Sequence, residues 1–384
     1  MAVPHKAHDE SAEAFAAAPS GLLSLFSFGT TRRPAPPPGY VYVCNDRSAL
    51  KPLYYWLFVN PIASVSSSRL RANDVTFVSQ LFALVPALIG LYSVHGDAPG
   101  WVWGILAPLG YLGYIVLDHL DGTHARKTHT SSPLGELVDH WCDAWNAPLL
   151  TFACGLNWGA SPLLASSLGF VTGLALCLAY EEHRLTGKMR LDVLGSNEAL
   201  TGMALSMVAM GILGKSVVTA IALPQGVSLA FALQMVSLVG SAGAIAMALV
   251  RGGPRLIVGI APYVLGAGGI MAWVGLGLDP RIAPFMMAAT SAIVAGRIVL
   301  ERTTGLKARV DWVGLVLVAL GLFLAIVRAP ATVQTGSALV VVLALVARAC
   351  ADFLWGARTL RRFIRRGELL SLFVPGPHST ADDP

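Results

Sequence analysis

Ten long apolar runs constrain the fold of this chain more than any other feature. Their approximate bounds are 77–94, 101–120, 134–156, 160–181, 197–222, 228–250, 256–277, 281–300, 311–328 and 337–355. Each is close to the roughly 20 residues that a helix needs to cross the hydrocarbon core of a bilayer. Because lipid offers no hydrogen bonds to unpaired backbone groups, such runs predict helices. We therefore predict an all-α, polytopic integral membrane protein with about ten transmembrane helices.

The composition argues against a soluble globular protein. Hydrophobic residues make up 55% of the chain and charged residues 13%, whereas a soluble protein carries about 25% charged residues. That much apolar surface cannot be hidden in one soluble core, so the solvent is a bilayer. The five cysteines have no paired spacing, which argues against a disulfide framework or a zinc site and indicates small buried apolar residues.

Basic residues are concentrated on one side of the predicted transmembrane helices. With the N-terminus in the cytoplasm, the outer side keeps only Arg281 and Arg328 as clear cases. The cytoplasmic side holds Arg69, Arg71, Arg126, Lys127, Arg184, Lys188, Arg190, Arg251, Arg255, Arg302, Lys307, Arg309, Arg358, Arg361, Arg362, Arg365 and Arg366. This asymmetry follows the positive-inside rule and predicts a multi-pass protein with both termini in the cytoplasm. The net charge of +5 therefore reflects topology and attraction to anionic lipids, and we expect no nucleic-acid partner.

Five regions are expected along the chain. Residues 1–46 form a flexible N-terminal region without the pattern of a signal peptide. Residues 47–74 mix aromatic with basic side chains, which predicts an interfacial amphipathic segment. Residues 75–222 form a transmembrane core with the candidate site, 223–356 form additional transmembrane helices, and 357–384 form a basic cytoplasmic C-terminal tail.

The segment from Leu117 to Asn146 carries four aspartates, Asp118, Asp121, Asp139 and Asp143. Charged groups this close to membrane spans are costly and usually functional. Asp118 and Asp121 share one helix face with Gly122 and Ala125, and Asp139 and Asp143 share a face of the next helix with Gly135. The polar linker 127–133 ends in a proline, which favours the start of a helix. The spacing therefore predicts two helices that meet with two carboxylates each facing inward.

Four clustered carboxylates repel one another, and divalent cations would relieve that repulsion. A ligand set made only of oxygen atoms favours Mg²⁺, Mn²⁺ or Ca²⁺ over zinc. Two such ions would neutralise four aspartates and clamp a pyrophosphate. The alternative interpretation is an ion-pair network or a set of helix caps. For that network, Arg126 and Lys127 cannot balance four aspartates and Glu136.

The same faces leave room for a nucleotide. Small residues at Gly122, Ala125 and Gly135 would let a nucleotide lie against the two helix backbones. Arg126 is placed to pair with a phosphate, because a guanidinium binds phosphate oxygens in a bidentate fashion.

These residues match the signature of the CDP-alcohol phosphotransferase family, which the chain resembles. The matching positions are Asp118, Asp121, Gly122, Ala125, Arg126, Gly135, Asp139 and Asp143. Residues 131–143 (SSPLGELVDHWCD) resemble the choline/ethanolamine phosphotransferase branch of this family. Residues 180–202 are similar to a second stretch of that branch, although His183, Arg184 and Ala199 depart from its pattern. Asn73 and Thr76 resemble the family's Pro-Asn-x-x-Thr, with Ala72 in place of the proline.

The resemblance implies roles for individual residues. Two divalent cations, Mg²⁺ or Mn²⁺, would be held by the four aspartates. The base that takes the acceptor's proton would be Asp143, with His140 as its rival. The CDP site would be lined by Asn73, Gly122, Ala125, Arg126 and Gly135. Glu181, Glu182 and Glu198 are candidates to shape the pocket for the donor alcohol, and a solvated loop is the alternative for them.

The resemblance also implies an activity. The chain would be an enzyme of phospholipid biosynthesis that transfers phosphocholine or phosphoethanolamine from CDP-choline or CDP-ethanolamine to the hydroxyl of diacylglycerol and releases CMP. Its active site would face the cytoplasm, and it would form a homodimer. One alternative keeps the chemistry but takes CDP-diacylglycerol as donor and a small alcohol as acceptor. A more remote alternative is a membrane transporter with a buried carboxylate site.

Overall fold

The computed structural model of the chain describes residues 44–67, 70–92, 98–191, 195–307 and 310–363, and these residues are mainly helical. Most of the predicted flexible region, 1–43, and the end of the predicted tail, 364–384, lie outside the described residues. The helices are α1 (Lys51–Tyr54, the π-helical Tyr55–Val59, and Asn60–Val65), α2 (Ala72–Tyr92), α3 (the π-helical Val102–Leu106, then Ala107–Lys127), α4 (Pro133–Asn157), α5 (Pro162–Thr186), α6 (Ser196–Leu213), α7 (Lys215–Ala220), α8 (Leu229–Gly252), α9 (Arg255–Gly275), α10 (Ala283–Thr304), α11 (Trp312–Ile326) and α12 (Ala331–Phe363). A short parallel pair, β1 (Cys44–Asp46) and β2 (Met189–Leu191), joins the start of the described chain to the segment after α5.

The all-α fold class is confirmed, and every predicted apolar run overlaps a helix of the described residues. Within the described residues, six helices are long and apolar enough to cross a membrane by length and composition: α2, α5, α8, α9, α10 and α12. Helix α11 is apolar but shorter. The total of ten crossings stays a prediction.

Three boundaries differ from the sequence-based expectation. The run 197–222 is interrupted, because Gly214 adopts φ 89°, a left-handed value that glycine takes without strain, so that α6 ends before it and α7 begins after it. Helix α12 continues beyond the run 337–355 to Phe363. The last residues of the region predicted to be flexible, Cys44–Asp46, form β1.

The cysteine interpretation is only partly confirmed. Cys142, Cys154 and Cys177 are buried, as expected for small apolar residues, whereas Cys44 and Cys350 are exposed.

Side-chain caps set the helix starts near the site. The hydroxyl of Ser132 accepts a hydrogen bond from the backbone N–H of Gly135 at 3.1 Å, and Pro133 occupies the first turn of α4. Ser161 caps α5 in the same way, through the N–H of Leu164 at 3.2 Å. Helix α4 therefore begins at the proline that the sequence predicts as its start.

Helices α2 and α3 approach each other closely at Gly110. A Cβ atom at this position would lie 2.4 Å from Cδ of Pro86 and 2.8 Å from the backbone oxygen of Phe82. Only a glycine permits that approach, which holds the start of α2 beside the end of α3. Helix α4 packs against α2, α5 and α10, and α10 is the most buried of the six candidate spans.

One end of the helix bundle gathers most of the buried charge. The end of α5 meets the end of α10 there, since Nη1 of Arg184 lies 3.0 Å from Oε1 of Glu301. The start of α4 meets the same end of α10 through an ion pair between Glu136 and Arg302. We call this the charged end; it also contains the end of α3 and the start of α9.

Candidate functional site

The structure brings the four aspartates together at the charged end. Asp118 and Asp121 lie in the last turns of α3, and Asp139 and Asp143 lie in the first half of α4. Each carboxylate is close enough to interact electrostatically with the other three, and those of Asp118 and Asp143 lie within hydrogen-bonding reach. Asp121 is buried and the other three are half-buried. The two helix faces predicted from spacing therefore meet in one cluster.

Two hydroxyl groups fix the orientation of this cluster. Oγ1 of Thr76, on α2, donates to Oδ2 of Asp121 at 2.5 Å. The phenol of Tyr114, on α3, donates to Oδ1 of Asp143 at 2.7 Å. Sequence reasoning missed Tyr114, although it lies one helical turn before Asp118 and so shares its face.

Within the described part of the chain, no lysine or arginine forms an ion pair with any of the four aspartates. Nη2 of Arg126 donates to Oγ1 of Thr123 at 3.2 Å, and Nζ of Lys127 reaches the backbone oxygens of Ala63 and Ser64. The described residues therefore do not form the alternative ion-pair network. A cluster of carboxylate oxygens without paired cations fits Mg²⁺ or Mn²⁺, which prefer oxygen ligands.

The predicted nucleotide-binding residues lie beside the cluster. A Cβ atom on Gly122 would contact only Nη1 of Arg126, at 3.4 Å, so the exposed guanidinium lies over this glycine. Ala125 is half-buried on the same helix. Oδ1 of Asn73 lies 3.6 Å from the Cβ position of Gly135, so the start of α2 contacts the start of α4. Gly122, Ala125 and Gly135 are each only half-buried, and we call the surface that these three small residues form the open face.

His140 is held rigidly next to the carboxylates. Its buried ring stacks on Tyr180, with ring centroids 4.5 Å apart and an interplanar angle of 5°. Nδ1 lies 3.2 Å from Oδ2 of Asp139, and Nε2 lies 4.0 Å from Oε1 of Glu136. The imidazole is therefore placed between the aspartate cluster and a second buried carboxylate.

That second carboxylate is bound by a residue far away in sequence. Nε of Arg302 donates to Oε1 of Glu136 at 3.0 Å, and the other carboxylate oxygen accepts from Nη2. Potential ligand atoms of Glu136, His140 and the buried His183 all lie within 4.8 Å of one another. No local spacing indicates Arg302, because it lies 166 positions from Glu136.

The two glutamates at the end of α5 are buried, so the alternative of a solvated loop is wrong for them. Glu182 binds Arg190 at 2.6 Å and Arg251 at 2.9 Å. Glu181 binds Arg184 at 2.6 Å. Because arginines bind both carboxylates, neither is left without a partner to attract the cation of choline or ethanolamine.

Glu198 anchors the segment before α1 instead of facing the cluster. Its carboxylate accepts from Oγ of Ser48 at 2.7 Å, from the N–H of Leu50 at 3.0 Å and from the N–H of Gly195 at 2.8 Å. Burial raises the pKa of the Tyr54 phenol, and this neutral group lies 2.7 Å from Oγ1 of Thr201. The start of α1 is therefore fixed to α6.

The sequence of this region is similar to that of a known protein family. Residues 69–248 match the profile of a family described as CDP-alcohol phosphatidyltransferase. Residues 69–248 of this chain form a segment of the CDP-alcohol phosphatidyltransferase type. All of the site residues predicted from the sequence lie inside the matched segment.

Curated relatives fall in the choline/ethanolamine phosphotransferase branch of the CDP-alcohol phosphatidyltransferase family. Choline/ethanolaminephosphotransferase 1 of Saccharomyces cerevisiae is 29% identical over 185 residues, which cover 47% of each chain. Ethanolaminephosphotransferase 1 of Homo sapiens is 34% identical over 28% of this chain and 29% of its own. Choline/ethanolaminephosphotransferase 2 of Arabidopsis thaliana is 38% identical over 29% of each. The chain thus spans at most about half the length of these relatives.

Proposed function

We propose that this chain is a CDP-alcohol phosphotransferase of phospholipid biosynthesis. It transfers phosphocholine or phosphoethanolamine from CDP-choline or CDP-ethanolamine to the hydroxyl of diacylglycerol and releases CMP. The observation that carries the proposal is the cluster of four aspartates, which have no lysine or arginine partner among the described residues. This cluster lies beside Arg126 and the open face at Gly122. The names of the relatives favour a choline or ethanolamine donor over CDP-diacylglycerol.

The aspartates would hold two divalent cations, Mg²⁺ or Mn²⁺. When bound, these ions neutralise charge that develops on the phosphate oxygens and on the leaving group. The hydroxyls of Thr76 and Tyr114 orient two of the ligands before any ion arrives, since each donates to an aspartate oxygen. This prior orientation lowers the reorganisation that binding would otherwise require.

The chain's own residues position the donor and accept the proton. The guanidinium of Arg126 is exposed over Gly122 and binds the diphosphate, while Asn73, Ala125 and Gly135 line the CDP site. The acceptor oxygen attacks the phosphorus that carries the alcohol, and the bond from that phosphorus to CMP breaks. Two groups are placed to take the hydroxyl proton: the carboxylate of Asp143 and the imidazole of His140.

The surrounding regions complete the proposal. Helix α1 exposes Trp56 (72%) and Val65 (84%), and we propose that it lies in the headgroup region as an interfacial segment. The core 75–222 is the catalytic region, α8 to α12 are additional membrane helices, and the site faces the cytoplasm. Two copies form a homodimer, which native mass spectrometry of the detergent-solubilised protein would reveal as a doubled mass.

The decisive experiment is CMP release by the purified full chain in lipid nanodiscs. The nanodiscs contain diacylglycerol, and CDP-choline or CDP-ethanolamine is supplied in turn with Mg²⁺ or Mn²⁺. We expect release with at least one donor and none in the presence of EDTA. A separate arm supplies CDP-diacylglycerol with a small alcohol. CMP release in that arm alone would replace the proposed donor, and no release in any arm would refute the proposed activity.

A further inference from the structure

A cavity of about 540 Å³ lies at the charged end, between α5, α9, α10 and α11. This volume is in the range of roughly 300–1,000 Å³ that is usual for small-molecule sites. Among the described residues, none of those lining it lies on α2, α3 or α4, the helices that carry the aspartate cluster and the open face beside it. The cavity is therefore separate from the proposed catalytic site, although both open at the same end of the bundle.

The inner part of the cavity is apolar. Val258 and Pro262 of α9, Ile293 and Val294 of α10, and Leu315 of α11 line it. Val258 is 78% exposed, so this wall continues onto the outer, apolar surface of α9. Since α9 is a candidate membrane span and exposes this wall, an acyl chain in the bilayer would reach the cavity along α9.

The mouth of the cavity is charged, and most of its charges are paired. A single arginine, Arg184, binds both Glu181 and Glu301, at 2.6 and 3.0 Å. Asp311 binds Arg348, and Arg297 binds Asp352 at 2.7 Å. The mouth therefore keeps one negative charge in excess at the two glutamates.

Two further cationic side chains make the net charge at the mouth of the cavity positive. Arg255 and Lys307 also line the cavity, both are exposed, and neither has a hydrogen-bond or ion-pair partner among the described residues. Arg255 is the first residue of α9, so the positive end of the helix dipole adds to its charge. The mouth as a whole is thus positive and offers two donor groups without a partner.

We infer that this cavity binds a phospholipid with a net negative headgroup, whose phosphate contacts Arg255 and Lys307 and whose acyl chain lies along Pro262 and Leu315. A neutral diacylglycerol matches the apolar part but leaves both cations without an anion. Free phosphate matches the cations but leaves the apolar part unfilled. An anionic phospholipid matches both, and such lipids attract basic side chains at the cytoplasmic membrane surface.

Photo-crosslinking of the full chain in nanodiscs tests the inference. The bilayer is phosphatidylcholine with a small fraction of phosphatidylglycerol that carries a diazirine on one acyl chain. Phosphatidylcholine and diacylglycerol with the same diazirine chain are compared in parallel, and labelled peptides are identified by mass spectrometry. We expect phosphatidylglycerol to label the cavity segments of α9 and α11 preferentially. Equal labelling by either comparison lipid would overturn the inference.

Substitutions in the cavity test whether the labelling by phosphatidylglycerol depends on contacts with the lipid headgroup. Arg255→Gln and Lys307→Gln should each lower phosphatidylglycerol labelling roughly fivefold, whereas Arg281→Gln, an exposed arginine outside the cavity, should not change it. Unchanged labelling in both cavity variants would contradict the proposed phosphate contact. Leu315→Trp should reduce labelling by filling the cavity while CMP release continues. If excess inorganic phosphate abolished labelling, the site would belong to free phosphate rather than to a lipid.

Discussion

The four clustered aspartates differ from the buried glutamates of the charged end in their lack of arginine or lysine partners among the described residues. Asp118, Asp121, Asp139 and Asp143 all interact electrostatically, and no arginine or lysine among the described residues pairs with them. Elsewhere at the charged end, buried carboxylates such as Glu182 and Glu136 each bind an arginine. This contrast within one region supports the proposal that the four aspartates bind cations from solution.

Asp139→Asn removes one charge of the cluster with almost no change in shape. We expect CMP release to fall at least about 100-fold, because one ligand of the metal pair is lost. Asp279→Asn, which changes an aspartate at the opposite end of the bundle, is the matched control and should retain activity. Near-normal turnover by Asp139→Asn would remove the proposed metal site.

The proposed metal site also predicts that Mn²⁺ stabilises the unsubstituted protein more than Asp139→Asn. At about 100 times its Kd, a bound ion adds about 2.7 kcal/mol to the free energy of unfolding. Mn²⁺ should therefore raise the thermal midpoint of the unsubstituted protein in detergent and raise that of Asp139→Asn less. Equal stabilisation of both proteins would show that Mn²⁺ acts elsewhere.

Substitutions at Asp143 and His140 show which of the two residues takes the proton from the acceptor hydroxyl. If Asp143 takes the proton, Asp143→Asn is inactive and His140→Ala retains most of its activity. If His140 takes it, His140→Ala loses roughly 100-fold or more in kcat. A kcat against pH profile of His140→Ala supplies the second readout, since loss of a histidine base would remove the limb that titrates near neutrality.

At the scale of helices, the contact between α2 and α3 determines the position of Thr76 against Asp121. Gly110→Ala places a Cβ atom 2.4 Å from Pro86, so the two helices must separate. We expect a destabilisation of about 1–3 kcal/mol and a loss of CMP release beyond that explained by unfolding.

Gly202→Ala is the matched control for that prediction, because no described atom outside its own helix backbone lies within 4 Å of its Cβ position in α6. It should leave activity unchanged and stabilise the helix by up to about 1 kcal/mol. If Gly110→Ala behaved like this control, the close approach of α2 and α3 would not matter for the site.

At the scale of the whole molecule, α10 connects helices outside the family segment to the site. Arg302 lies beyond residue 248 and neutralises the buried Glu136, next to His140. Arg302→Ala leaves a buried carboxylate without that partner, and we expect a loss of roughly 3–5 kcal/mol in the free energy of unfolding. Thermal unfolding in detergent, with Arg281→Ala as an exposed control, measures it; equal midpoints would contradict the prediction.

The proposed orientation places the charged end in the cytoplasm. With Cys44 and Cys350 changed to serine, Lys188→Cys at the charged end and Arg281→Cys at the opposite end give one exposed thiol each. In sealed right-side-out vesicles, a membrane-impermeant maleimide should label only the second variant. The reverse pattern would place the charged end outside.

The sequence alone determined the features that depend on local spacing. The positions of the helices followed from apolar runs, because a helix satisfies its own backbone hydrogen bonds within each span. The shared faces of Asp118 with Asp121 and of Asp139 with Asp143 followed from the helical repeat. The start of α4 followed from its proline, which needs no backbone donor in the first turn.

Only the tertiary structure decided which distant groups meet. The sequence left Glu181 and Glu182 as candidates for the pocket of the donor alcohol. In the structure, Arg190 and Arg251 from other elements bind Glu182, and Arg184 of the same helix binds Glu181. The contact of Thr76 with Asp121 and the cavity beside α9 likewise depend on how separate helices pack. Helical periodicity repeats within a few residues and carries no information about partners more than a hundred positions away. Packing of the helices therefore decides which carboxylates lack a lysine or arginine partner among the described residues, and the charge of those aspartates makes this end of the molecule a candidate active site.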